Sequence, residues 1–227
     1  MTDTQVFILI GGFVAFGIIM VIVAIVTSIK KEKQRKQEWG LVAKDIGFDF
    51  AESNNSLIFR YNFFKSFDTG SSRKTKNVMT GKNGSIDITI MDYQYTTGSG
   101  KNKTTHQQTI CIFEKEGLGL PRCYLRMQIA FFDFLGKIFG GQDIDFVEDP
   151  EFSKSFVLQG EEKEVRRVFN DKVREGFLDY KGKNFIFEGN NDRFLIHKGK
   201  RVKPDELMII LEDAYKIIDL FLKNKQA

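Results

Sequence analysis

Cysteine is scarce: Cys111 and Cys123 are the only two in 227 residues. Small secreted folds stapled by disulfides carry far more, so that class is excluded. The pair reads either as one bridge between neighbouring strands or as two buried free thiols. Histidine is equally sparse. His106 and His197 lie far apart and share no ligand spacing with the cysteines, which leaves no metal motif. A surplus of one charge is also missing. Beyond Glu38 the chain holds 29 basic and 27 acidic residues. Nucleic-acid-binding domains present a clear basic excess, so nucleic acid is not an expected partner. No G-x-S-x-G elbow or zincin motif occurs. The loop Thr97 to Thr104 fails as a phosphate cradle, because Tyr95 holds the first glycine position and Asn102 follows Lys101. No cofactor is implied.

Charge is absent altogether from one stretch. Val6 to Ile29 runs 24 residues without a charged side chain. As a helix it is about 36 Å long, against about 30 Å for a hydrocarbon core. The expectation is an N-terminal tail and transmembrane helix over 1–29, a basic juxtamembrane helix over 30–47, and a soluble domain over 48–227 with a candidate sub-boundary near 140–152. The opening MTDTQ lacks Lys and Arg and the apolar run is long, unlike a cleaved signal peptide. Lys30, Lys31, Lys33, Arg35 and Lys36 sit on one side of the run. The positive-inside rule places that side in the cytoplasm and the N-terminus outside. The cluster either only sets topology or also contacts anionic head groups. Gly11-xxx-Ala15 offers close helix packing, and with it a homodimer through the span.

Past the apolar run, Trp39, Val42, Ala43 and Ile46 form one helical stripe, closed by Gly47. Leu57 to Phe64, rich in aromatic and branched residues, reads as a strand. Asp68 to Lys76 reads as a solvated loop and Val78 to Gly81 as a short strand. Ile86, Ile88 and Ile90 alternate with polar residues, and His106 to Phe113 returns as the partner strand of a hairpin. Arg122 to Gln128 is a further strand. Ile129 to Gly141 is dense in Phe and reads either as an amphipathic cover or as an exposed patch for membrane or partner. Strand (153–159), helix (161–177), hairpin (185–197) and a helix opened by Pro204 follow. Mostly antiparallel strands, segregated from the helices, define an α+β domain.

For acid–base chemistry the candidates are Asp92, His106, Asp143 and Asp145. His106 opens the strand expected to pair with the one holding Asp92. Asp143 and Asp145 share one face if extended, and in a loop could meet a hard cation or serve turn hydrogen bonds.

Asn77-Val-Met-x-Gly81, Asp92-Tyr-x-Tyr-Thr96, His106-x-Gln-Thr109, Gln142-Asp-Ile-Asp-Phe146, Leu158-x-Gly160 and Lys200-Arg-Val-Lys-Pro204 together resemble a family of uncharacterised bacterial single-pass membrane proteins with a soluble C-terminal domain. The resemblance spans nearly the whole chain. It implies a bacterial membrane protein, and it brings no activity, cofactor or catalytic residue. The function expected on these grounds is a module that binds a protein partner or the membrane surface. The alternative is a membrane-tethered hydrolase built around Asp92 and His106.

Overall fold

An eight-stranded antiparallel sheet carries the fold, in the order β1-β2-β3-β4-β8-β7-β5-β6. The structure is a computed structural model that describes residues 3–128 and 143–224, with side chains of the first helix described at Phe13 and from Ala15 onward. The Phe-rich segment 129–141 lies outside the described residues. The elements, in order, are α1 (Asp3–Asp45), β1 (Asp49–Ala51), α2 (Ser56–Arg60), α3 (Lys65–Asp68), β2 (Ser71–Asn83), β3 (Ile86–Thr97), β4 (Thr104–Glu114) and β5 (Leu120–Met127). Then come α4 (Pro150–Ser155), β6 (Phe156–Gly160), α5 (Glu162–Val168), α6 (Asp171–Leu178), β7 (Ile186–Asn191), β8 (Arg193–His197) and α7 (Pro204–Lys223). The chain divides into two compact units, Met1–Val42 and Ala43–Ala227.

The expected transmembrane helix is corrected. Among the described residues no helix is long and apolar enough to cross a membrane. Beyond Ile29, α1 continues through Lys30, Lys31 and Lys33. The sidedness inferred from a span, and the homodimer through it, lose their premise. Gly11 lies outside the described side chains, and a Cβ placed on Gly17 would meet nothing within 4 Å.

Within Ala43–Ala227 the pleat sorts residues onto two faces. On one, Ile90, Cys111, Ile196, Phe187 and Leu125 are in cross-strand register. The helices cover this face. Phe187 packs on Phe177 of α6 and Phe221 of α7, and Leu207, Ile210, Leu211, Ala214, Ile217, Ile218 and Phe221 form the buried stripe of α7, at the spacing its sequence predicts. Both cysteines are free and buried.

The opposite face holds Met91, Tyr93, Ile110, Ile112 and Leu195, and the α2–α3 segment lies on it. That segment was expected as a strand. Its buried residues, Leu57, Ile58, Tyr61, Phe64 and Phe67, recur at helical and not alternating intervals. The period therefore overrides the β-branched and aromatic content. Three other expectations shift. The supposed loop 68–76 mostly belongs to β2, which pairs with β3 from Ser71 to Asn83. Residues 150–155 are helical, because Asp149 caps the turn by accepting from the Phe152 N–H and Pro150 fills its first position. The helix expected over 161–177 breaks at Phe169-Asn170, where Asn170 accepts from the Val173 N–H and starts α6.

Candidate functional site

One row of residues runs across the sheet beneath α2 and α3. Thr89, Ile112, Leu195, Glu188, Tyr124 and Gln159 are successive cross-strand partners, and Asp143 bridges to Gln159 beyond them. The first half of the row is covered by the aromatic face of α2–α3. The second half turns polar and opens into a cleft of about 740 Å³, whose lining includes Phe63, Lys65, Arg122, Tyr124, Gln159 and Glu188.

Glu188 is buried, with 2% of its surface exposed. Its carboxylate accepts from the Lys65 N–H at 2.5 Å, the Ser66 N–H at 3.0 Å and the Ser66 hydroxyl at 2.5 Å. Burial raises its pKa, against the lowering pull of those donors. Ser66 Oγ also lies 3.1 Å from His197 Nε2. His197 Nδ1 accepts from the Gly199 N–H at 3.0 Å, so in the neutral ring the proton sits on Nε2 and is donated to Ser66. Burial pulls the His197 pKa down to about 4, which keeps the ring neutral at pH 7.

Glutamate, serine and histidine in hydrogen-bond contact suggest a nucleophile, yet the order is wrong for one. In an acyl-transfer triad the imidazole accepts the serine proton and the carboxylate orients the imidazole. Here the serine gives its proton to the carboxylate, and the imidazole offers a donor where a base is needed. The set fastens the first turn of α3 to β7 and β8.

The side chain that reaches from this staple into the cleft is Lys65. Its Nζ stands 4.3 Å over the Tyr124 ring and donates to Gln159 Oε1 at 3.3 Å. The Gln159 amide in turn donates to Asp143 Oδ1 at 2.9 Å. Burial lowers the Lys65 pKa, while the Glu188 charge raises it. The cleft thus presents a partly desolvated cation on an aromatic face, edged by amide and carboxylate.

The residues singled out from sequence fall elsewhere. Asp92 is paired in register with Thr109, and His106 with Tyr95. Three register positions separate them, about 10 Å at ~3.3 Å each, and an odd offset sets them on opposite faces of the sheet. A catalytic pair of Asp92 and His106 is therefore corrected. Asp92 accepts from Asn77 Nδ2 and Thr109 Oγ1, both at 2.8 Å. His106 meets Thr97 Oγ1 at 2.7 Å and stacks on Tyr95. Asp143 and Asp145 are exposed while Ile144 and Phe146 between and beside them are buried. Only Asp143 joins the cleft network. Among the described residues no group of three or more His, Cys, Asp or Glu is placed to hold a metal ion. Lys30, Lys31 and Lys33 are exposed on α1, Arg35 and Lys36 half-buried, and the Arg35 guanidinium lies 4.8 Å over Trp39.

Sequence reasoning missed Lys65, Ser66, Tyr124, Gln159 and Glu188. One signal was available: Glu188 is the lone charge of its strand and directly follows the apolar run Phe185-Ile-Phe.

An antiparallel sheet with one face under helices and the other under a short aromatic segment defines an α+β architecture. No protein-family model matches the chain, and no curated protein matches it in sequence. Among solved structures it is similar to the crystal structure of the mycobacterial trehalose monomycolate transport factor A, TtfA, with a TM-score of 0.55 and 14% identity, over 83% of this chain and 93% of that one. At this identity the likeness is one of fold.

Proposed function

We propose that the protein is a membrane-associated binding module, and that it serves in lipid transport as a factor of the kind its structural neighbour's name describes. One observation carries the reading. Along α1, Phe13 and every residue from Ala15 to Ile29 are exposed, including Phe16 at 63%, Ile19 at 57% and Ile25 at 54%. An apolar helix surface open to water is costly, and contact with an apolar phase relieves that cost. Lys30, Lys31 and Lys33 follow directly, suited to anionic head groups beside that phase. The cleft around Lys65 then serves recognition of a partner. The wrong hydrogen-bond order in the Glu188 set, and the separation of Asp92 from His106, both favour binding over hydrolysis.

Flotation of the full chain with vesicles tests this. The chain is expected to float with phosphatidylcholine–phosphatidylglycerol vesicles, less with phosphatidylcholine alone, and Ile19→Asp together with Ile22→Asp should abolish it. Circular dichroism of that variant should be unchanged, because both positions are exposed. A wild-type chain that remains at the bottom of the gradient with both lipids overturns the reading.

A further inference from the structure

A second cavity, on the helix-covered side of the sheet, has a different character from the Lys65 cleft. It encloses about 370 Å³ where α7 meets the start of β7 and the end of β8. Its walls are apolar: Tyr180, Phe185, Ile196, Ile209, Ile210 and Ile217. Five of these are buried core residues, and Ile209 is 50% exposed at the mouth. The walls are well fixed. Tyr180 and Phe185 pack with ring centroids 5.3 Å apart, and the Tyr180 hydroxyl donates to the Asp213 carbonyl at 3.3 Å.

The rim is cationic. Lys183, Lys198 and Lys200 all line the cavity, with Glu206 and Asp213 the only carboxylates. Lys183 lies 3.6 Å from Asp213, and Lys198 and Lys200 lie 3.9 and 3.3 Å from Glu206. Three ammonium groups share two carboxylates, and Glu206 is further committed to the Lys203 N–H at the start of α7. One positive charge is left uncompensated around an apolar hole. At ~30 Å³ per water-sized group the volume holds on the order of twelve non-hydrogen groups. Pockets of this size with apolar walls and a few convergent polar groups are the usual form of small-ligand sites.

We propose that this cavity binds a monoanionic single-chain amphiphile, a medium-chain carboxylate of about ten carbons, with the chain against Phe185, Ile196 and Ile210 and the headgroup among the three lysines. The single excess charge matches one carboxylate. The enclosed apolar floor needs a chain, which a free inorganic anion lacks, and the lysines need an anion, which an alcohol lacks. The proposal stands independently of the membrane-association reading.

The test uses the full chain with phosphatidylcholine vesicles and a decanoate analogue bearing a diazirine near its chain end. After illumination, labelled peptides are mapped. Saturable labelling within 180–185 and 209–217, displaced by decanoate but not by decanol or inorganic phosphate, supports the site. Ile209→Trp, which fills the mouth from an exposed position, should cut that labelling at least tenfold, as should the Lys183→Gln/Lys200→Gln pair. Labelling confined to α1 peptides reports only insertion into lipid and overturns the cavity proposal while leaving the membrane reading intact. Labelling at the cavity that survives Ile209→Trp, or that decanol displaces as well as decanoate, also overturns it.

Discussion

Deleting one hydroxyl tests whether the Glu188 set is a staple. Ser66→Ala removes the donor that reaches the Glu188 carboxylate at 2.5 Å. A hydrogen bond to a buried charged acceptor is worth about 1.5–3 kcal/mol. The same deletion strands the Nε2–H of the buried His197, which has Ser66 Oγ at 3.1 Å. An orphaned buried donor costs about 1–3 kcal/mol. The Lys65 and Ser66 backbone N–H groups still serve the carboxylate, so the loss is not total. The expected destabilisation is about 3 kcal/mol. It is read as a drop in the urea midpoint with unchanged slope, which marks lost stability without a change in the surface exposed. Ser56→Ala is the matched control, since its hydroxyl bonds Asn54 Oδ1 at an exposed site and such changes stay within about 0.5 kcal/mol. If Ser66→Ala and Ser56→Ala shift the midpoint equally, the buried network is not holding α3 to the sheet and the reasoning fails.

Lowering the pH should weaken the fold through His197. Its native pKa is about 4, against ~6.5 unfolded, so the unfolded chain takes up the proton first and stability drains away as pH falls from 6.5 to 4, by at most about 3 kcal/mol. Glu188 acts in the opposite sense, because its raised pKa makes the native state the better proton acceptor as pH falls. His197→Gln should flatten the urea midpoint-against-pH curve between 6.5 and 4; an unchanged curve refutes the assignment. Gly81→Ala should destabilise by about 1–3 kcal/mol, since a Cβ there would collide with the Phe48 ring, and a loss below about 0.5 kcal/mol would show that Phe48 moves freely. Burial pushes both thiols up, Cys123 to about 12, so iodoacetamide should label neither at pH 8 until urea is added; native labelling at either would place it at the surface.

Some of this fold is legible in the sequence because the signal is local. The spacing from Leu207 to Phe221 reports one element against one buried face and emerges as read. The alternation through Ile86, Ile88 and Ile90 locates β3, but that strand is buried on both faces from Ile88 to Tyr93, because α2–α3 covers the side that alternation left to solvent. The α2–α3 segment shows where local content misleads: Leu57-Ile58-Phe59 has strand composition, but Tyr61, Phe64 and Phe67 continue a helical interval onto the sheet. The apolar run of α1 misleads in another way. Composition over Val6–Ile29 suggested a span, whereas among the described residues no helix is long and apolar enough to cross a membrane. The site was the least legible part. Lys65, Tyr124, Asp143, Gln159 and Glu188 come from five separate segments, and only the strand order β7-β5-β6 makes them neighbours. No spacing in the chain encodes that adjacency.

Asp92 shows why a carboxylate inside a strand is ambiguous until its donors are known. On sequence it looked like a base. In the fold it ends a relay: the Val202 N–H donates to Thr109 Oγ1 at 3.1 Å, and the Thr109 hydroxyl donates to Asp92 Oδ1. Asn77, in the left-handed region at φ 47°, donates to the other oxygen beside the register shift between Lys76 and Met79. A carboxylate placed so joins the irregular part of β2 to the loop that leads into α7. Removing it leaves at least two buried donors without their acceptor, so Asp92→Ala should cost about 3 kcal/mol or more. His106→Ala, which loses one half-buried contact with Thr97 and a ring stack, should cost about 1 kcal/mol. Hydrogen exchange separates a structural relay from a general loss of stability. At matched global stability, set by adding urea to the His106→Ala chain, the Val202 amide should exchange faster in Asp92→Ala alone. Equal Val202 protection in the two variants would mean that Asp92 does not hold this loop, and its burial would then need another explanation.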